Sequence, residues 1–141
     1  MPDMTAPLKL GADIWNQYTD WPAFKAAHLQ AEALGYDSLW TMDHIYPPNR
    51  PEDGPILEAM SLMSAIAEVT SKATISVMVE SNTYRNPALL SSIMTTMEHI
   101  SHGRDILGVG AGWAVQEHEG LGFEFGCGHG VRLRWLKEAL P

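Results

Sequence analysis

The groups able to do chemistry fall into a few short runs. Asp43-His44 sets a carboxylate beside an imidazole. A histidine titrates near neutrality, so at a strand end it can exchange a proton with a bound molecule while the carboxylate adjusts the local charge. The same dipeptide can equally be a satisfied loop pair that caps a strand. Glu80-Ser81-Asn82-Thr83-Tyr84-Arg85 is a second polar run. Arg85 there either meets an anionic group or fixes the loop by a salt bridge. Gly108-Val109-Gly110-Ala111-Gly112-Trp113 is a third. Its glycines let a backbone come close to a planar ring or a phosphate, or simply make a tight turn. A dinucleotide fingerprint does not fit: the third glycine comes too early for G-x-G-x-x-G, and the run does not follow the first strand.

Other chemistries are excluded. His118, Cys127 and His129 match no zinc spacing, so no metal is expected. Cys127 has no second thiol and no evident catalytic partner, and there is no G-x-S-x-G nucleophile elbow. The formal charge is −8 and the bases are scattered singly. That argues against nucleic acid and against an anionic membrane surface as partners. A small-molecule ligand is expected instead. The single cysteine favours the reducing cytoplasm. No apolar run approaches the ~18 residues of a membrane span, and Met1 to Leu10 lacks the form of a secretory signal.

Alternating strands and helices must position these runs. An extended stretch over Leu8–Ile14 follows a short tail. Asp20 and Pro22 then start a helix over Trp21–Leu34, with Phe24, Ala27, Ala31 and Leu34 on one face and Gly35 as its stop. Asp37–Met42 reads as the second strand. The stretch from Asp43 to Pro55, broken by Pro47, Pro48, Pro51 and Gly54, reads as a functional loop. Ile56, Met60, Met63 and Ala67 mark a second helical face, and Thr74–Val79 a third strand. Asn86-Pro87 starts a third helix, with Leu90, Ile93, Met97 and Ile100 inward, stopping at Gly103. Asp105–Val109 is the fourth strand. Nine of the twelve glycines lie at position 103 or later, so the last third reads as loop-rich until a helix near Val131. Met60, Met63, Met94 and Met97 are expected in the core, and His28, His99 and His102 at the surface or an interface.

Strands that recur about every ~30 residues, the span of a βαβ unit, imply an α/β fold with a parallel sheet. Either an open doubly wound sheet or the first part of a (β/α)8 barrel fits. In both, ligands bind at the carboxyl ends of the strands. Trp15, Asn16 and Gln17, then Asp43-His44, then Glu80 to Arg85, then Gly110 to Trp113 with Glu117 and His118, therefore share one rim. Glu80 is expected to point outward.

Four segments together resemble the luciferase-like monooxygenase superfamily. They are Leu34 to His44, Asn82 to Leu90, Ile100 to Arg104 and Leu107 to Trp113; Gly122-Phe123 and Arg132 to Leu140 also match its pattern. Within it, Glu52-Asp53 and Leu57-Glu58-Ala59 resemble the branch dependent on coenzyme F420, a deazaflavin. The resemblance implies a TIM barrel and an oxidoreductase passing hydride between F420 and a small organic substrate. It implies His44 as acid/base near the reacting carbon with Asp43 beside it. It places Met78, Val79, Glu80, Gly110, Ala111, Gly112 and Trp113 at the cofactor, with an unusual cis peptide at Met78–Val79 behind the ring. Trp113 departs from the pattern: some F420 dehydrogenases carry a proton-transferring acid there, so that step is not carried over. Gly126-Cys127-Gly128-His129-Gly130 likewise replaces a stretch that is usually proline-rich.

A complete barrel takes ~250 residues, against 141 here. Residues 1–141 are therefore expected to form the N-terminal half of a (β/α)8 TIM barrel, with four parallel strands. Its open edges and apolar inner face would make a homo-oligomer, with a second copy completing the wall. Two alternatives stand beside the F420 reading. One is an FMN-dependent monooxygenase of the same fold; the other is a non-catalytic, self-associating half-barrel.

Overall fold

The computed structural model describes residues 7–48 and 53–140. The start of the expected tail (residues 1–6), Pro51 and Glu52 of the loop, and Pro141 lie outside them. In chain order the elements are β1 (Gly11–Asp13), α1 (Trp21–Ala33), β2 (Ser38–Thr41), α2 (Ala59–Val69), β3 (Thr74–Val77), β4 (Glu80–Ser81), α3 (Pro87–Ser101), β5 (Asp105–Ile106), β6 (Val109–Gly110), α4 (Val115–Leu121) and α5 (His129–Ala139).

Local chemistry explains the helix ends. The Asp20 carboxylate accepts from Ala23 N at 2.9 Å, and Pro22 sits in the first turn, where no N–H is missed. Asn86 caps α3 in the same way through Ala88 N, ahead of Pro87. Glu58 caps α2, its carboxylate accepting from Met60 N and Ser61 N. The left-handed backbone of His102 and Gly103 ends α3.

β1, β2, β3 and β5 form one parallel sheet in that order. Spatial order thus follows chain order. A doubly wound sheet reverses direction at a switch point; this one does not, so it is a stretch of barrel wall. Register sorts the two faces. Leu39 and Ile75 are paired and fully buried beneath the helices. They pack with Phe24, Met60, Met63, Ile66, Val77, Leu90, Met94 and Met97 in the core, which includes all four expected methionines. The opposite face carries Asp13, Trp40, Ser76 and Ile106 in one row. It is mixed rather than apolar, because Trp40 Nε1 donates to Ser38 Oγ and Ser76 Oγ to the Ile106 carbonyl.

Four expectations need correction. The third and fourth strands are each broken. β3 ends at Val77, the peptide between Met78 and Val79 is cis, and β4 resumes in a second, two-stranded sheet with β6. The cause is close approach: a Cβ on Gly108 would lie 2.7 Å from the Val77 carbonyl oxygen, so the chain passes where no side chain fits. Glu80 follows this break and is fully buried, not outward. His28 is also fully buried, its Nδ1 donating to the Phe24 carbonyl at 2.8 Å, and burial lowers its pKa against the pull of that bond. Finally, the glycine-rich last third contains α4, and α5 begins at His129.

Candidate active site

The carboxyl ends of β2, β3 and β6, with β4 and the loop after it, surround a cavity of about 290 Å³. Asp43, His44, Met78, Val79, Glu80, Gly110, Ala111, Gly112 and Trp113 all line it, joined by Ser81 and Tyr84. The structure therefore brings the residues expected at catalysis and at the cofactor to one place. The volume sits at the lower end of small-molecule sites, enough for a ring system. Trp15, Asn16, Gln17 and Arg85 share the rim without lining this cavity. Asn16 Nδ2 donates to the Leu57 carbonyl, and Gln17 bridges to Ile56, so both tie the first loop to the chain ahead of α2. A wider groove of about 630 Å³ runs between α2 and α3, but its Glu58 and Arg85 are spent on each other.

Consecutive residues of an extended segment point to opposite sides, and Asp43 and His44 part accordingly. Asp43 is buried and holds a bidentate pair with Arg85 (2.6 and 2.8 Å) while accepting from Ser81 N at 2.8 Å. Arg85 also reaches Glu58 at 2.6 Å. Burial alone would lower the Arg85 pKa; Asp43 and Glu58 raise it on balance. This triad pins the end of β2 to the start of α3 and the cap of α2.

His44 turns instead to Glu117, with Nδ1 3.0 Å from Oε2. Glu117 is buried at the first turn of α4 and also accepts from the N–H groups of Ile45 and Tyr46 and from the Tyr84 hydroxyl. Burial pushes this carboxyl up, but His44, Tyr84 and the two N–H groups outweigh it and hold it below its usual range. Among the described residues Nε2 of His44 takes no hydrogen bond. Trp113, 62% exposed, stands edge-on to the imidazole at 5.2 Å between centroids.

The glycine run is shaped by packing. A Cβ on Gly110 would meet the Val79 side chain at 2.5 Å. One on Gly112, at φ +75°, would meet Ser81 Oγ and Thr83 Oγ1 at 2.7 Å. Behind Gly112, Ser81, Thr83 and buried His118 form a hydrogen-bonded chain that ends on the Ala114 carbonyl. Buried Arg132 of α5 donates from Nε to the Gly112 carbonyl at 3.1 Å and stacks on Phe125. The shelf is thus closely packed against Val79, Ser81 and Thr83, carries only the Ala111 methyl between its two glycines, and is held from beneath. His118 and His129 are committed to Thr83 and Arg132, and among the described residues no three metal-ligating side chains come together.

The sequence reading put Glu117 and Tyr84 on the rim without giving either a role; the bond of Glu117 to His44, that of Tyr84 to Glu117 and the support of the Gly112 carbonyl by Arg132 come from the structure.

A family model described as luciferase-like monooxygenase matches residues 5–140. The F420-dependent glucose-6-phosphate dehydrogenase of Amycolatopsis mediterranei is 42% identical over 90 residues, covering 63% of this chain and 27% of that protein. Among solved structures, an F420-dependent secondary alcohol dehydrogenase in complex with an F420-acetone adduct superposes with a TM-score of 0.82 at 26% identity, over 93% of this chain and 39% of that one. A type II Baeyer-Villiger monooxygenase in complex with FMN, from Pseudomonas putida, shares the fold with a TM-score of 0.74 at 21% identity, over 93% of this chain and 37% of that one. The chain spans well under half the length of each of these relatives.

Proposed function

The chain belongs to the luciferase-like monooxygenase family, and from that membership we propose that it carries the ring-binding part of an F420-dependent oxidoreductase acting on a small organic substrate. The observation that carries this reading is the cavity itself, which His44, its Nε2 unbonded among the described residues, and the glycine run line together at the carboxyl ends of parallel strands. The likeness to F420-dependent relatives supports the choice of cofactor.

When bound, a deazaflavin supplies a hydride acceptor or donor at its central ring. The chain's own residues do the rest. Gly110, Ala111 and Gly112 present backbone and a single methyl, so a planar ring can lie close. Met78 and Val79, about half exposed at 51% and 44%, offer it an apolar backing, with Glu80 buried beneath. Trp113 covers the open side. His44 Nε2 takes a proton from the substrate in one direction and returns it in the other. Asp43 acts on this site through Arg85 and Ser81, holding the strand end that carries His44.

Titration with F420 and separately with FMN, followed by absorbance and fluorescence, tests the cofactor. F420 binding without FMN binding is expected; tight FMN binding with none of F420 overturns the choice in favour of an FMN-dependent monooxygenase, a reading favoured by the fold shared with the FMN complex. A second reading, a non-catalytic self-associating wall, draws on exposed Leu10, Trp15, Ile106 and Leu107 near the outer strands β1 and β5. Light scattering separates them: a stable monomer that binds F420 removes self-association. We place the protein in the cytoplasm on the strength of its single cysteine; no helix among the described residues is long and apolar enough to cross a membrane.

A further inference from the structure

Glu117 divides its two oxygens between two kinds of donor. Oε1 accepts from the backbone N–H groups of Ile45 at 2.6 Å and Tyr46 at 2.9 Å. Oε2 accepts from the Tyr84 hydroxyl and from His44 Nδ1 at 3.0 Å. An ionised carboxylate has no hydrogen to give, so any nitrogen bonded to it must carry one. Tyr84 cannot relieve this demand, since its hydroxyl is already turned to the same oxygen. The other charged groups near this end of β2, Asp43 and Arg85, are bound to each other and reach neither ring nitrogen.

We infer that Glu117 is a positioning residue that locks neutral His44 in its Nδ1–H tautomer and leaves the bare Nε2 lone pair to the cavity. A bare nitrogen accepts a proton before it can give one. In that tautomer the proton exchanged with a substrate passes through Nε2 and not through Nδ1. This last step rests on the reading of His44 as the acid–base group; the tautomer does not.

The two parts of the carboxylate make a sharp test possible. In Glu117→Gln the backbone N–H groups of Ile45 and Tyr46 can only donate, so they claim the amide carbonyl. The amide NH₂ then replaces Oε2 and donates to Nδ1, which must give up its hydrogen. The ring inverts to Nε2–H. Long-range ¹H–¹⁵N correlation on the cofactor-free chain with ¹⁵N-labelled histidine reads this directly at alkaline pH, His44 being assigned by the signal lost in His44→Asn. The native protein should show a protonated Nδ1 and a bare Nε2, Glu117→Gln the reverse, and Tyr84→Phe the native pattern. A native Nε2–H ring, or a Glu117→Gln spectrum identical to the native one, overturns the inference. If the Gln variant does not fold, the native and Tyr84→Phe spectra still decide it. Failure to bind F420 would sink the cofactor reading and leave the tautomer result standing.

Discussion

Two walls of the rim each bury a glutamate, Glu80 at the cavity and Glu117 behind His44, and treat it in opposite ways. On the α4 side, Glu117 receives hydrogen bonds on both oxygens and stays ionised. On the side of the break after β3, Glu80 is fully buried and, among the described residues, neither oxygen has a hydrogen-bond partner in another residue. Burial dominates and pushes its pKa up to about 8; its own backbone N–H opposes this, the charges of Asp43 and Asp105 add to it, and Arg85 offsets it least. At neutral pH one wall therefore presents a fixed anion and the other a neutral acid. The neighbourhood explains the difference. Arg85 already answers two carboxylates, Asp43 and Glu58, so a third charge at Glu80 would lie buried without a counter-ion. The rim thus keeps an ionised carboxylate where it meets His44.

Asp43 holds the end of β2 between the two walls through Arg85 and Ser81, and removing it should have the largest effect. Asp43→Ala strands the Arg85 guanidinium and the Ser81 N–H in a buried setting, at a cost of about 3–5 kcal/mol. Urea denaturation would measure it. A loss below about 1 kcal/mol would mean that Glu58 alone satisfies Arg85, and that the end of β2 is held some other way.

A smaller effect should appear at Glu80, and its sign depends on pH. The folded pKa lies above the ordinary 4.5. The folded state therefore holds a proton that the unfolded chain releases, and this contribution to stability is complete below about pH 4.5 and declines as pH rises through about 8. Glu80→Gln has no proton to lose. Between about pH 5 and about pH 9, the stability of the variant relative to the native protein should improve by roughly 2–4 kcal/mol. Thermal melts at the two pH values give the answer; a difference that does not change with pH would show that Glu80 is ionised when folded.

The contrast also separates what was legible in the sequence from what was not. Signals written in neighbouring residues came through: Asp20 with Pro22, Asn86 with Pro87, the stop at Gly103, and the methionine stripes of α2 and α3. The convergence of Asp43, His44, Gly110 and Trp113 followed from placing each at a strand end. Features set by distant partners did not come through. Thr74 to Val79 is a run rich in β-branched residues with no breaker in it, and only the approach of Gly108 to Val77 reveals its break. Burial of Glu80 depends on the register after that break. Helix α4 begins in glycine-rich sequence and is anchored by Glu117 on Ile45 and Tyr46, more than seventy residues away. His28 was a nearer miss: it lies four residues after Phe24, on the edge of the apolar stripe, and its bond to the Phe24 carbonyl is what lets it be buried.

Trp113 offers the finest test, because it belongs to neither buried wall. Its ring is 62% exposed and leans edge-on toward His44 without a hydrogen bond to the protein. Trp113→Ala should leave stability within about 0.5 kcal/mol of native, as for other exposed positions. Its effect should fall on the ligand. An aromatic contact is worth about 0.5–1.5 kcal/mol, so affinity for F420 should drop by roughly two- to tenfold in a fluorescence titration. If Trp113 instead packs mainly against the protein, the result reverses: the melting temperature falls and the affinity holds. That reversal would move Trp113 from the ligand's side of the cavity to the protein's, where it would join Glu117 in holding the orientation of His44.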